Sequence, residues 1–194
     1  MNNKSKFFSI LLLVLVLSCA KNPFTGKRTI ALVPNSQIFP SSFQQYNQFL
    51  SENKVITGTA DANRIETIGM KIKTASERWL NANGHSEYLQ GYEWEYKLVA
   101  SKEVNAWCMP GGKIVFYSGI LPICKDDPGI AAVMGHEVAH ALANHGQQRM
   151  SAGLLQQLGA VGTQVAVGNK DPQTQALIMQ AYGVGSQVGG MLPF

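Results

Sequence analysis

Asp127-Pro128-Gly129-Ile130-Ala131-Ala132-Val133-Met134-Gly135-His136-Glu137-Val138-Ala139-His140-Ala141-Leu142 is the stretch that decides the fold. Asp127 suits a helix N-cap and Pro128 the first helical position. From Ile130 to about Arg149 the stretch reads as one long helix, and Gly135 within it, at a cost of about 1 kcal/mol, implies close packing there. His136 and His140 stand one turn apart, so both imidazoles leave the same face and can reach one ion. Neutral imidazole nitrogen binds Zn²⁺ well, at about 2.0–2.1 Å. Glu137, beside the first ligand, reaches the bound water rather than the metal, where it can act as general base. Met134, Val138, Ala139, Ala141 and Leu142 make the helix apolar over much of its circumference. Two histidines and a glutamate on a buried helix need partners. That favours a metal-dependent hydrolytic centre over two satisfied histidines and a solvated Glu. A structural zinc site does not fit, because such sites are usually closed by four Cys or His ligands. His145 lies five residues beyond His140, about 140° round a continuous helix. It is therefore expected to support a ligand from outside, to be structural or to have no role, rather than to be a ligand. The metzincin pattern needs Gly and His seven and ten residues after the first His, where Ala143 and Gly146 stand, and is excluded.

Upstream, Tyr92, Trp94, Tyr96 and Leu98 alternate with Glu93, Glu95 and Lys97, the pattern of a half-buried strand. Asn105 to Met109 and Lys113 to Ser118 flank Pro110-Gly111-Gly112 as a hairpin. Ile65, Ile68, Ile72, Ala75 and Trp79 recur at helical spacing after a cap at Asp61, and Asn81 to Gly84 ends that helix. Pro34 and Pro40 break up the chain before a weak helix from about Ser41 to Leu50. Leu154, Leu155, Leu158, Val161 and Val165 suggest a loose helix, and Asp171-Pro172 starts another. Gln156, Gln157 and Gln164 argue against a membrane span there. The expected fold is α+β: a small antiparallel sheet packed against several helices, the H-E-x-x-H helix at the centre.

The N-terminus reads as an export signal. Lys4 and Lys6 precede an apolar run from Phe7 to Leu17, too short to span a bilayer comfortably. Val16-Leu17-Ser18-Cys19 resembles the lipobox of bacterial lipoproteins, with Cys19 as the lipidated residue and acyl chains as the membrane anchor. Ala20 follows, not the Asp of inner-membrane retention, so the expected location is the outer membrane, facing the periplasm. Without Lys4 and Lys6, 14 basic residues stand against 12 acidic ones. A net charge of +2 with no basic run interleaved with aromatics gives no reason to expect nucleic acid. An oxidising envelope would permit a disulfide between Cys108 and Cys124, but two small buried hydrophobes is the preferred reading.

Three ordered segments carry a resemblance to a known family. Asn22-Pro23-Phe24-Thr25-Gly26-Lys27-Arg28, the hairpin Asn105-Ala106-Trp107-Cys108-Met109-Pro110-Gly111-Gly112-Lys113-Ile114 followed by Gly119-Ile120-Leu121, and His136 to Gly146 are similar to motifs of the HtpX-, BepA-, LoiP- and Oma-like gluzincins (peptidase family M forty-eight). The resemblance covers nearly everything after Cys19. It implies a zincin-like metallopeptidase domain, one Zn²⁺ per chain held by His136 and His140, and Glu137 as the catalytic residue. It also implies an edge strand at Asn105, Ala106 and Trp107 that binds substrate backbone. The implied substrates are unfolded or misassembled envelope proteins. The third zinc ligand of the family is a Glu in an E-x-E-A-D-like motif, after a segment similar to Tyr182-Gly183-Val184-Gly185 through Leu192-Pro193-Phe194. After Glu137 the only carboxylate here is Asp171, in no matching motif. The expected organisation is a signal peptide at 1–18, a lipid-anchored segment at 19–35, and a metallopeptidase domain at 36–194 without its C-terminal part. The alternative is a non-catalytic lipoprotein serving as chaperone or scaffold for envelope proteins.

Overall fold

The computed structural model describes residues 19–190. The expected signal peptide at 1–18, residues 191–194 and the side chain of Cys19 lie outside that description. The chain divides into two compact units. One comprises Lys21–Thr29 and Val33–Gln147; the other holds Ile30–Leu32 and the chain from Gln148 on, with Cys19 and Ala20.

In chain order the elements are β1 (Cys19–Lys21), β2 (Arg28–Ile30), α1 (Asn35–Glu52), β3 (Val55–Ile56), α2 (Ala60–Ala82), β4 (Glu95–Val99), β5 (Ala106–Met109), β6 (Lys113–Tyr117), the single turn α3 (Leu121–Cys124), α4 (Asp127–Leu142), α5 (His145–Val167) and α6 (Pro172–Gly190). β1 and β2 form a small ribbon, and the main sheet has the order β3-β4-β6-β5.

The α+β class agrees with the sequence reading, but the sheet is mixed rather than wholly antiparallel. β4 pairs with β6 in parallel, Glu95 opposite Lys113 and Val99 opposite Tyr117. The cause lies in the hairpin: β5 turns back and β6 turns again, and it is β6 that lies inward against β4. Gly111 and Gly112 make the reversal at φ +88°, a region open to glycine. β5 is thereby left at the edge.

β6 explains the layers. Its Ile114, Val115 and Phe116 are fully buried, as expected of a strand covered on both faces. Ile114 and Phe116 join Ile65 and Ile68 of α2 and Met134 and Val138 of α4 in one core. Val115 on the opposite face packs with Tyr46, Phe49 and Leu50 of α1. The sheet therefore lies between α1 on one side and α2 with α4 on the other. α1 is longer than the sequence suggested and runs through Pro40. That proline removes one backbone donor early in the helix, while Ile38, Phe39, Ser42 and Tyr46 bury the face that holds it.

α4 is set by both ends. Asp126, one residue before the expected cap, accepts a hydrogen bond from the Gly129 amide at 2.9 Å. A Cβ on Gly129 would overlap the Cys124 carbonyl, so this turn seats against α3 only as glycine. Met134→Ala empties a fully buried position on the helix's inner face. It is expected to reduce stability by about 2–5 kcal/mol, measured by denaturant unfolding.

In the second unit, the Ser151 hydroxyl accepts from the Leu32 amide at 3.1 Å. The Tyr182 hydroxyl donates to the Gln156 carbonyl at 2.6 Å, tying α6 to α5. No helix among the described residues is long and apolar enough to cross a membrane.

Candidate metal centre

The inner face of α4 buries Ile130, Met134, Val138, Ala141 and Leu142. The helix is thus buried on one side only: His136 and His140 are exposed on its open side, and Glu137 is half-buried. The two imidazoles converge. Their Nε2 atoms stand 3.0 Å apart, with the rings perpendicular and their centroids 4.5 Å apart. Two imidazoles tetrahedrally bound to one zinc at about 2.0–2.1 Å would hold their nitrogens about 3.3 Å apart. The donors therefore fit a shared zinc with little movement. Among the described residues no group of three His, Cys, Asp or Glu side chains stands ready to hold a metal.

The sequence placed His145 on the wrong side because it assumed a continuous helix. α4 ends at Leu142, Ala143 is its C-cap, and Asn144 takes a left-handed conformation at φ +57°. Asn is the usual non-glycine residue for that role at a helix end. α5 then starts at His145. The break brings His145 Nδ1 to 2.6 Å from His140 Nδ1. His140 is engaged at both ring nitrogens, Nε2 toward His136 and Nδ1 toward His145. His145 meets the Nδ1 side of the His140 ring, opposite the Nε2 that faces His136, so it holds that ring rather than joining the two Nε2 atoms.

The end of α4 is held by residues far away in sequence. Asn22 Nδ2 donates to the Leu142 carbonyl at 2.8 Å and to the Tyr88 hydroxyl at 2.7 Å. Tyr88 donates to the same carbonyl at 2.7 Å and accepts from Asn144 Nδ2 at 3.0 Å. Burial pushes the Tyr88 phenol up to about 12, so it remains a donor at neutral pH. Phe24, in the same turn as Asn22, stacks on Trp79 at 4.7 Å. Phe24, Ile72, Val138 and Leu142 line an apolar cavity of about 450 Å³ whose wall includes all three histidines. Gly135 also borders it, and a Cβ there would meet nothing within 4 Å. The close packing expected at Gly135 is not found, because this flank of the helix faces the cavity.

β5 runs beside α4 as a free edge. Since the Tyr117 amide donates to the Asn105 carbonyl at 3.1 Å, the antiparallel alternation turns the main-chain groups of Ala106 and Cys108 outward. Of the three residues expected to meet substrate, Ala106 presents the free edge and exposed Asn105 stands at its start. Trp107 does not: its backbone pairs with Val115, and its indole packs on Phe49 at 5.0 Å in the layer of α1. The period-two geometry of the strand requires this once Ala106 faces α4. Cys108 packs on the α4 side, and burial first, then the charge of Glu137, pushes its thiol pKa upward. A protonated thiol is neither a metal ligand nor a rival nucleophile. Cys108 and Cys124 are both free, Cys124 buried and Cys108 partly so.

Comparison with known proteins adds independent findings. The sequence profile described as Peptidase family M48 matches residues 71–192. The mitochondrial metalloendopeptidase OMA1 of Saccharomyces cerevisiae is 41% identical over 90 residues, 45% of this chain and 26% of that protein. The metalloprotease LoiP of Escherichia coli is 31% identical over 110 residues, 57% of this chain and 36% of that protein. The human mitochondrial metalloendopeptidase OMA1 is 24% identical over 141 residues, 73% of this chain and 26% of that protein. The chain thus spans about a quarter to a third of the length of these relatives.

Proposed function

This chain belongs to peptidase family M48, and on that footing we propose that it serves a zinc-dependent metalloendopeptidase that cleaves unfolded or misassembled proteins of the bacterial envelope. The observation that carries the reading is the pair of Nε2 atoms 3.0 Å apart on the open side of α4, from histidines one helical turn apart, with Glu137 between them in sequence.

His136 and His140 would hold the zinc, which when bound polarises the scissile carbonyl and lowers the pKa of its water. The chain's own residues do the rest. Glu137 takes the proton of the attacking water on a carboxylate oxygen and passes it to the leaving amine. An extended peptide adds to the outer edge of β5, where the main-chain groups of Ala106 and Cys108 hydrogen-bond its backbone. Such bonds do not depend on side-chain identity, which suits substrates recognised by being unfolded. Exposed Asn105 stands at the start of that edge. The names of the relatives, metalloendopeptidase and metalloprotease, support the activity. The basic, apolar, Cys-terminated start of the sequence supports lipidation at Cys19 and an outer-membrane anchor facing the periplasm.

The test is cleavage of an unfolded protein such as reduced casein by the full-length protein. A zinc chelator is expected to stop cleavage and added Zn²⁺ to restore it. Casein held but not cut, with or without zinc, would overturn the peptidase reading in favour of a scaffold.

A further inference from the structure

The turn that begins at Asn22 takes no part in the chemistry above, yet it is bonded to the end of the helix that carries it. Asn22 is 4% exposed, and every polar atom of the residue is used. Its Oδ1 accepts from the Phe24 and Thr25 amides at 2.9 and 3.0 Å, and its backbone pairs with Lys27 and Gly26. That leaves Nδ2 aimed at the Leu142 carbonyl and at Tyr88.

The Leu142 carbonyl matters because of what it would otherwise accept. In a continuous helix it would bond to the amide of Gly146, and α4 would run on through Asn144. Here it is among the last carbonyls of the helix, which need partners from outside the helix. Two side-chain donors, Asn22 and Tyr88, take it. Asn144 then leaves the helix at positive φ and returns its own side chain to Tyr88. Had the helix continued, His145 would point about 140° away from His140. Because it stops, His145 meets His140 Nδ1. The ring is then fixed with Nε2 toward His136, the orientation a shared ion needs.

We propose that Asn22 and Tyr88 are positioning residues of the metal centre: by ending α4 at Leu142 they set His145 against His140 and so orient a zinc ligand. This rests on reading His136 and His140 as ligands. It gives the Asn22-Pro23-Phe24-Thr25-Gly26 turn a role in metal binding, although no atom of it touches the ion.

The experiment measures zinc affinity of the full chain by competition with a chromophoric chelator, on variants shown by circular dichroism to be folded. Asn22→Ala, Tyr88→Phe and His145→Ala are each expected to weaken zinc binding about 10–100-fold, the range seen when a ligand's outer partner is removed. The decisive variant combines Asn22→Ala with His145→Ala. If Asn22 acts through His145, the double variant binds zinc no more weakly than His145→Ala alone. A purely structural role for Asn22 would lower the unfolding midpoint and leave affinity unchanged. Should Asn22→Ala fail to fold, Tyr88→Phe carries the same test, since it keeps the ring that packs on Phe24 and loses only the hydroxyl. Wild-type affinity in the folded variants, or effects that multiply in the double variant, would overturn the proposal. His136→Ala is the control: if it binds zinc as well as wild type, the metal-centre reading itself is wrong.

Discussion

Glu137→Gln is expected to slow peptide cleavage about 10²–10⁴-fold while leaving fold and zinc affinity as they were. The substitution keeps size and shape and removes only the ability to take a proton. Glu137 is half-buried on a helix whose packing face is formed by Met134, Val138, Ala141 and Leu142, so the change disturbs no core contact. Burial first, and the Glu137 charge second, hold the Cys108 thiol of β5 in its neutral form. Single-turnover cleavage of reduced casein at saturating zinc reads the effect. Cleavage at the wild-type rate would remove Glu137 from the mechanism and leave the protein with no general base on this helix.

The second large effect is on the metal. His136→Ala is expected to weaken zinc binding at least about 100-fold, beyond the range for loss of an outer partner, because it removes one of the two imidazoles itself. The same variant should unfold within about 0.5 kcal/mol of wild type, since His136 is exposed on the open side of α4. Met134→Ala, two positions earlier and fully buried, is its mirror image: stability falls and the metal site keeps both donors. Isothermal titration with Zn²⁺, paired with urea unfolding of both variants, separates the two effects. Equal zinc affinity in His136→Ala and wild type would contradict the assignment.

The parts legible in the sequence were those set by local periodicity. Three- and four-residue spacing identified α2 and α4, and the double glycine after Pro110 identified the β5–β6 hairpin. His136 and His140 were legible for the same reason, because a one-turn separation converts directly into a shared face. What the sequence hid depends on contacts between distant segments. The parallel β4–β6 pair follows from which hairpin strand lies inward, a choice made by burial on both faces of β6 rather than by its neighbours in sequence. The end of α4 is fixed by Asn22 and Tyr88, 120 and 54 residues from Leu142. Only Asn144 gave a local sign of it, as a residue that tolerates positive φ just before His145. Missing that break cost the placement of His145. For Trp107, the strand alternation was readable, but the face that Ala106 would choose was not.

The central claim is that one zinc is gripped by the two imidazole Nε2 atoms of α4, and zinc K-edge absorption spectroscopy of the zinc-loaded full chain tests it most directly. The expected spectrum shows nitrogen or oxygen neighbours at about 2.0–2.1 Å, with the outer-shell scattering of two imidazole rings, reduced to one ring in His136→Ala. A spectrum without imidazole scattering, or one dominated by sulfur at about 2.3 Å, would contradict it.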